Sequence, residues 1–160
     1  MRRLTRAAGA AGAAVMAALA AAGCSAAHAS GGPSLAVPAA YVQIPSSGDS
    51  TVGYLDIRNN GTADQLVSVR TSVGGTVQLR APVHPGASPI VFHTVPDIPV
   101  AANAMTELAP NSYHLLITGA GPMQDGKDIR LTLTFAHSSP ITILALVTNP
   151  ESGGSSYFLN

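Results

Sequence analysis

Histidine is the residue type best suited to chemistry in this 160-residue chain, which contains five of them. Imidazole nitrogen is a good ligand for copper and zinc. We expect no role for His28, which lies in a small-residue polar stretch. We predict that His137, which follows the run LTLTFA, is a plain surface residue. The candidate ligands are therefore His84, His93 and His114.

Sequence signatures of enzymes are scarce. The chain has no Gly-rich phosphate loop and no HExxH, CxxC or GxSxG motif. Asp125 and Asp128 flank Gly126 and Lys127, a composition that indicates a solvated loop and not an acid/base pair. We therefore predict a protein that is not an enzyme.

The first residues have the pattern of an export signal. The basic segment MRRLTR precedes an apolar Ala/Gly-rich stretch that is too short for a stable membrane span. The following LAAAGC resembles a bacterial lipobox, in which the chain is cut before the cysteine and its thiol is acylated, with palmitate as a typical added chain. Gly23 fits this pattern, whereas Ala21 stands where leucine is preferred. An ordinary secretory signal with an incidental cysteine is the alternative.

Residues 1–23 are thus predicted to be a lipoprotein signal peptide, and Cys24 the lipidation site. Lipid on Cys24 would hold the protein on the extracytoplasmic face of the cell membrane. Residues 24–39 are predicted to be a flexible tether because they are small, polar and Pro/Gly-containing. We expect one domain at 40–148 and a disordered tail at 149–160.

Charge excludes one class of partner. Three of the eight basic residues lie in the leader, which leaves five basic against eight acidic residues, a net charge of −3. This balance argues against a nucleic-acid partner and against electrostatic attachment to anionic lipid.

Beyond the leader, short β-rich runs alternate with turn residues, and no useful helical periodicity is present. In DIRLTLTFA, for example, Ile129, Leu131, Leu133 and Phe135 fall on one face of a strand. About eight such runs predict an all-β fold, an antiparallel Greek-key β-sandwich.

Four segments, in order, carry a resemblance to a known family. They are AYVQIPSSGDSTVGYLDIRNNGTADQLVSV, GGTVQLR, DIPVAANAMTELAPNSYHLLITG and DGKDIRLTLTF. Together they resemble the PCuAC family of periplasmic copper chaperones, whose fold is a cupredoxin-like β-sandwich. The resemblance implies binding of copper, as Cu(I) or Cu(II), and delivery toward the copper centre of cytochrome oxidase.

The family's ligands follow the order His, Met, then His-x-Met, and the chain retains this set only in part. His114 matches the second histidine. Phe92 and Leu116 stand at the two methionine positions, and the first histidine position falls around Arg80 or Ala81. The resemblance therefore implies a copper site that has lost most of its ligands.

Two interpretations follow. In the first, His84, His93 and His114 form a rebuilt all-imidazole site, which suits Cu(II) or Zn(II) better than Cu(I). His93 can join such a site only from a loop or bulge, because one step along a strand reverses the side chain. In the second, the fold persists as a metal-free binding module, and Phe92 and Leu116 provide apolar packing.

Methionine sulfur is a further source of ligands. Met105 lies in the strand-like run AMTEL and is predicted to pack in the core. Met123 lies in a loop close in sequence to His114 and is a candidate displaced ligand.

Overall fold

The computed structural model describes residues 31–45 and 48–152. Its elements are the strands β1 (Leu35–Gln43), β2 (Ser50–Asn59), β3 (Asp64–Thr71), β4 (Thr76–Pro82), β5 (Phe92–Val95), β6 (Ile98–Val100), β7 (Ala104–Leu108), β8 (His114–Thr118), β9 (Asp128–Phe135) and β10 (Ile141–Thr148), followed by a 3₁₀ turn at Pro150–Ser152. In the described part of the chain, no helix is long and apolar enough to cross a membrane.

The strands form one mixed sheet in the order β5-β4-β8-β2-β1-β10-β9-β3-β6, and β7 pairs with β2 beside β8. The registered pairs are antiparallel except that of β1 with β10, which is parallel. The sheet curves so that its two halves share one apolar core. The predicted all-β sandwich is confirmed.

Alternating side chains build this core. On β9, Ile129, Leu131, Leu133 and Phe135 are all buried, as the sequence run predicted. Their counterparts on the other half of the sheet include the buried residues of β2, β4 and β8, which are Leu55, Ile57, Leu79, Leu115 and Ile117. Burial of each such side chain stabilises the fold by about 1.5–3 kcal/mol.

The predicted tether boundary at residue 39 is wrong, because β1 begins at Leu35. Leu35 and Ala36 pair with Asn59 and Arg58 of β2, and the register then shifts before Ala39. That irregularity accommodates Pro38, which cannot donate a ladder hydrogen bond. The predicted signal peptide, Cys24, and residues 153–160 of the predicted tail lie outside the described residues.

The strand directions define two ends of the domain. At one, called here the Leu35 end, Leu35 pairs with Asn59 of β2. Strand β4 runs in the same direction as β2, because both are antiparallel to β8. The turn between β4 and β5, residues 83–91, therefore projects toward the Leu35 end. At the opposite end, called the Thr148 end, β10 finishes beside Gln43.

Candidate metal site around His114

His114 opens β8 and points to the outer face of the sheet. The next side chain, Leu115, is fully buried in the core, as is Ile117. Because side chains alternate along a strand, His114 and Leu116 lie on the opposite face. Even there His114 is only 8% exposed.

Aromatic side chains cover the imidazole on this outer face. The ring of Phe92, from β5, meets His114 edge-on with centroids 4.4 Å apart and planes at 87°. The ring of Tyr54, from β2, lies with its centroid 6.5 Å away. Edge-to-face packing of this kind is favourable beyond the area that it buries. Residue 92, where the family resemblance places a methionine, thus lies directly against His114.

The tautomer of His114 follows from its hydrogen bond. Nδ1 lies 3.3 Å from the carbonyl oxygen of Ser112, which can only accept, so Nδ1 carries the proton. The lone pair is then on Nε2. Burial lowers the pKa of His114, the carbonyl of Ser112 opposes this in part, and the charge of Arg80 lowers the pKa further. His114 is therefore held in the neutral form that can bind a metal.

Arg80 fixes the strand that covers His114. It pairs with His114 across β4 and β8. Its Nη1 donates to Oγ1 of Thr94 at 2.9 Å, and its Nη2 donates to the carbonyl of Phe92 at 2.8 Å. These bonds hold β5, and with it the ring of Phe92, in place. The guanidinium also puts a positive charge near the imidazole, which disfavours a metal cation there.

The structure does not bring the three candidate histidines together. His93 shares the face of β5 with Val95, which packs against the core, whereas Phe92 faces His114. His84 is exposed in the β4–β5 turn, where its carbonyl accepts a hydrogen bond from Ala87. Among the residues that the structure describes, no group of three His, Cys, Asp or Glu side chains could hold a metal ion. The all-imidazole cluster is not formed in this conformation.

Neither methionine replaces the missing ligands. The prediction that Met105 packs in the core is wrong: it is exposed on β7, opposite Arg58 of β2. Met123 is partly buried and packs against the core. At the family's methionine positions, Phe92 contacts His114 and Leu116 lies two residues further along the same face of β8, but neither side chain offers a donor atom.

Sequence reasoning missed a polar cluster around Asp64, at the start of β3. Oδ1 of Asp64 accepts hydrogen bonds from the amides of Gln65 at 2.8 Å and His137 at 3.0 Å, and from Nδ1 of His137 at 3.2 Å. Oδ2 accepts from Oγ of Ser138 at 2.5 Å. Burial by itself would raise the pKa of Asp64, but these hydrogen bonds outweigh it and lower the pKa.

His137 is therefore more than the plain surface residue that was predicted. Its side chain is 67% exposed, yet its Nδ1 is paired with the fully buried carboxylate of Asp64. The two residues are 73 positions apart, so no local sequence pattern indicates the pairing. The cluster joins the start of β3 to the turn between β9 and β10.

The fold is similar to that of solved PCuAC domains. The apo PCuAC domain from PmoF1 is 22% identical with a TM-score of 0.62, covering 72% of this chain and 94% of that one. The copper-bound PCuAC domain from PmoF2 is 18% identical with a TM-score of 0.59, covering 72% and 93%. The Cu(I) form of DR1885 from Deinococcus radiodurans is 22% identical with a TM-score of 0.58, covering 69% and 75%. The resemblance to PCuAC domains is thus confirmed at the level of the fold.

No curated protein sequence matches the chain. The family described as "Putative lipoprotein LpqE-like" matches residues 35–147. The chain belongs to this LpqE-like family, whose matched segment starts and ends within one residue of the limits of the core strands.

Proposed function

We propose that this protein is a copper-handling lipoprotein, anchored through Cys24 on the extracytoplasmic face of the cell membrane, in which Nε2 of His114 is the copper ligand. The observation that carries the proposal is the state of His114: it is neutral, its Nδ1 is bound to a carbonyl, and its Nε2 lone pair is free of that bond. The fold of copper-bound PCuAC domains and the lipoprotein family support it.

A single imidazole makes an incomplete site. Phe92 and Leu116 supply no donor atom beside His114, so copper would be held weakly on this chain alone. A second protein would complete the coordination during transfer. The acceptor proposed here is a copper-containing subunit of cytochrome oxidase, and the role is a carrier's, not an enzyme's.

Copper titration tests the proposal on the chain from Cys24 onward, which contains the whole core. Cys24→Ser removes the only thiol, which would otherwise bind Cu(I) itself. We expect one copper ion per chain with a dissociation constant of about 1 μM or weaker. Binding should be lost in His114→Ala and kept in His93→Ala, because His93 lies on the other face of β5. Copper binding that survives His114→Ala would contradict the assignment.

A metal-free binding module is the second candidate function. The edge-on contact of Phe92 with His114 and the nearby charge of Arg80 favour it, since both disfavour an approaching cation. Absence of binding for Cu(I), Cu(II) and Zn(II) alike in the Cys24→Ser protein would establish this alternative over the copper proposal.

The anchor has its own test in the producing cell. Cys24→Ser should release the protein into the medium, whereas the unaltered protein should stay with the membrane fraction. Retention of the Cys24→Ser protein on the membrane would show that lipid on this residue is not the anchor.

A further inference from the structure

The turn between β4 and β5, residues 83–91, contains two of the five exposed large hydrophobic residues in the described part of the chain. Val83 is 42% exposed and Val91 is 61% exposed. The amide of Val83 donates to the carbonyl of Val91 at 2.8 Å, which holds the two valines side by side. Pro85 and Pro89 restrict the backbone between them. The turn therefore presents an ordered apolar surface to solvent.

Charge is distributed unequally between the two ends of the domain. The loops at the Leu35 end, residues 60–63, 83–91, 101–103 and 136–140, contain no Lys, Arg, Asp or Glu. Beside these loops lie only the exposed Arg58, near the end of β2, and Asp64, whose carboxylate is buried. The Thr148 end carries Asp49, Asp125, Lys127 and Asp128 in or beside its loops. An end whose loops carry no charge and present exposed valines is suited to contact with an apolar phase, and an end with charged loops is suited to water.

The chain that leads to Cys24 leaves the domain at the Leu35 end. Ser34 is fixed to β2, because its amide donates to Oδ1 of Asn59 at 3.1 Å and its carbonyl accepts from Asn60 at 2.9 Å. The nine residues from Cys24 to Gly32 can span at most about 30 Å, whatever their conformation. Lipid attached at Cys24 would therefore keep the Leu35 end, and not the Thr148 end, close to the bilayer.

We infer that the Leu35 end of the domain rests on the lipid bilayer, with Val83, Ile90 and Val91 of the β4–β5 turn inserted among the headgroups. The inference rests on the lipid anchor of the proposed function and does not depend on copper. The contact is apolar, because no charged side chain lies in the loops of this end. It should therefore be insensitive to salt and to the fraction of anionic lipid. The bilayer would thus set the orientation in which His114 meets a membrane-bound partner.

The experiment uses the absence of tryptophan and the single cysteine of the chain. The chain from Cys24 onward is coupled through its thiol to phosphatidylcholine vesicles that contain a maleimide lipid. This coupling does not require that the cell acylates Cys24. Val91→Trp places a fluorophore in the turn, and Leu144→Trp is the matched control, since Leu144 is 62% exposed on the outer face of β10.

We expect the emission of Val91→Trp to shift to shorter wavelength on coupling and to be quenched by brominated acyl chains. The emission of Leu144→Trp should be unaffected. Replacing Val83 with Asp in the Val91→Trp protein should abolish the shift, and vesicles with added phosphatidylglycerol or high salt should leave it unchanged. If the emission of Val91→Trp on lipid vesicles stays that of a tryptophan in water and is not quenched by brominated acyl chains, the inference is wrong. A shift that appears only with membranes containing protein overturns it in favour of a protein partner.

Discussion

The side chains of His114 and His137 each make a hydrogen bond within the protein, but they differ in exposure and in the charge of their partner. His114 is buried on the outer face of the sheet, and its Nδ1 meets the neutral carbonyl of Ser112. His137 is largely exposed, and its Nδ1 meets the buried carboxylate of Asp64. The same side chain is thus kept neutral in one place, and in the other it helps to satisfy an anion that joins two distant segments. The surroundings of each side chain, and not the residue type, make His114 a candidate ligand and His137 part of a stabilising hydrogen-bond cluster.

The largest effect is expected when the carboxylate of Asp64, the partner of His137, is removed. Asp64→Ala should lower the free energy of unfolding by about 3 kcal/mol, because hydrogen bonds to a charged group are lost and buried donors are left unpaired. Urea denaturation measures the change. Asp49→Ala, at an exposed turn, should change stability by less than about 0.5 kcal/mol. If Asp64→Ala changes stability as little as Asp49→Ala does, the hydrogen bonds around Asp64 do not stabilise the fold.

The histidines themselves should differ in their contributions. His114→Ala should cost about 2 kcal/mol, since it removes a packed ring and its edge-on contact with Phe92. His137→Ala should cost about 1 kcal/mol or less, because the amide of His137 and the hydroxyl of Ser138 still bind Asp64. Denaturant midpoints of the two variants at pH 7 provide the comparison. The reverse order would contradict the assignment of roles.

The smallest expected effect is the contribution of His114 to the pH dependence of stability. The pKa of His114 is lowered on folding, so the unfolded chain binds its proton more readily, and stability should decrease as pH falls below about 6.5. His114→Phe keeps a ring against Phe92 and should remove this decrease.

The pKa of Asp64 is also lowered, and its contribution is present above its ordinary value of 3.8 and lost as pH falls through the folded value. His114 and Asp64 therefore affect stability in separate pH ranges. Thermal unfolding between pH 8 and pH 3, in the unaltered protein and in His114→Phe, distinguishes them. An unchanged slope near pH 6 in the variant would contradict the role given to His114.

The fold was largely predictable from sequence because apolar side chains recur at every second position along its strands. The run from Ile129 to Phe135 specifies both a strand and the face that it buries. The three-residue strand β6 was not predicted, since Ile98, Pro99 and Val100 are too few to show a period. The start of β1 was missed because Ala36 and Pro38 resemble a linker, and their pairing depends on β2.

The candidate site was predictable only at one residue. His114 was found from its position relative to neighbouring motifs, but the covering ring of Phe92 comes from a strand two places away in the sheet. His93 was judged near His114 from its place in the sequence, and strand alternation puts it on the other face. Such arrangements arise from contacts between distant segments, which a single sequence does not specify.

The parallel pairing of β1 with β10 has a mechanical consequence. The chain enters β1 at one end of the domain and leaves β10 at the other, while Tyr41, Val42 and Gln43 lie beside Leu146, Val147 and Thr148. Tension applied between an anchored amino terminus and a load on the carboxyl terminus would pull these strands past each other. Their hydrogen bonds would then be loaded in shear, all at once and not one after another. The pairing of β1 with β10 would therefore resist unfolding under such tension.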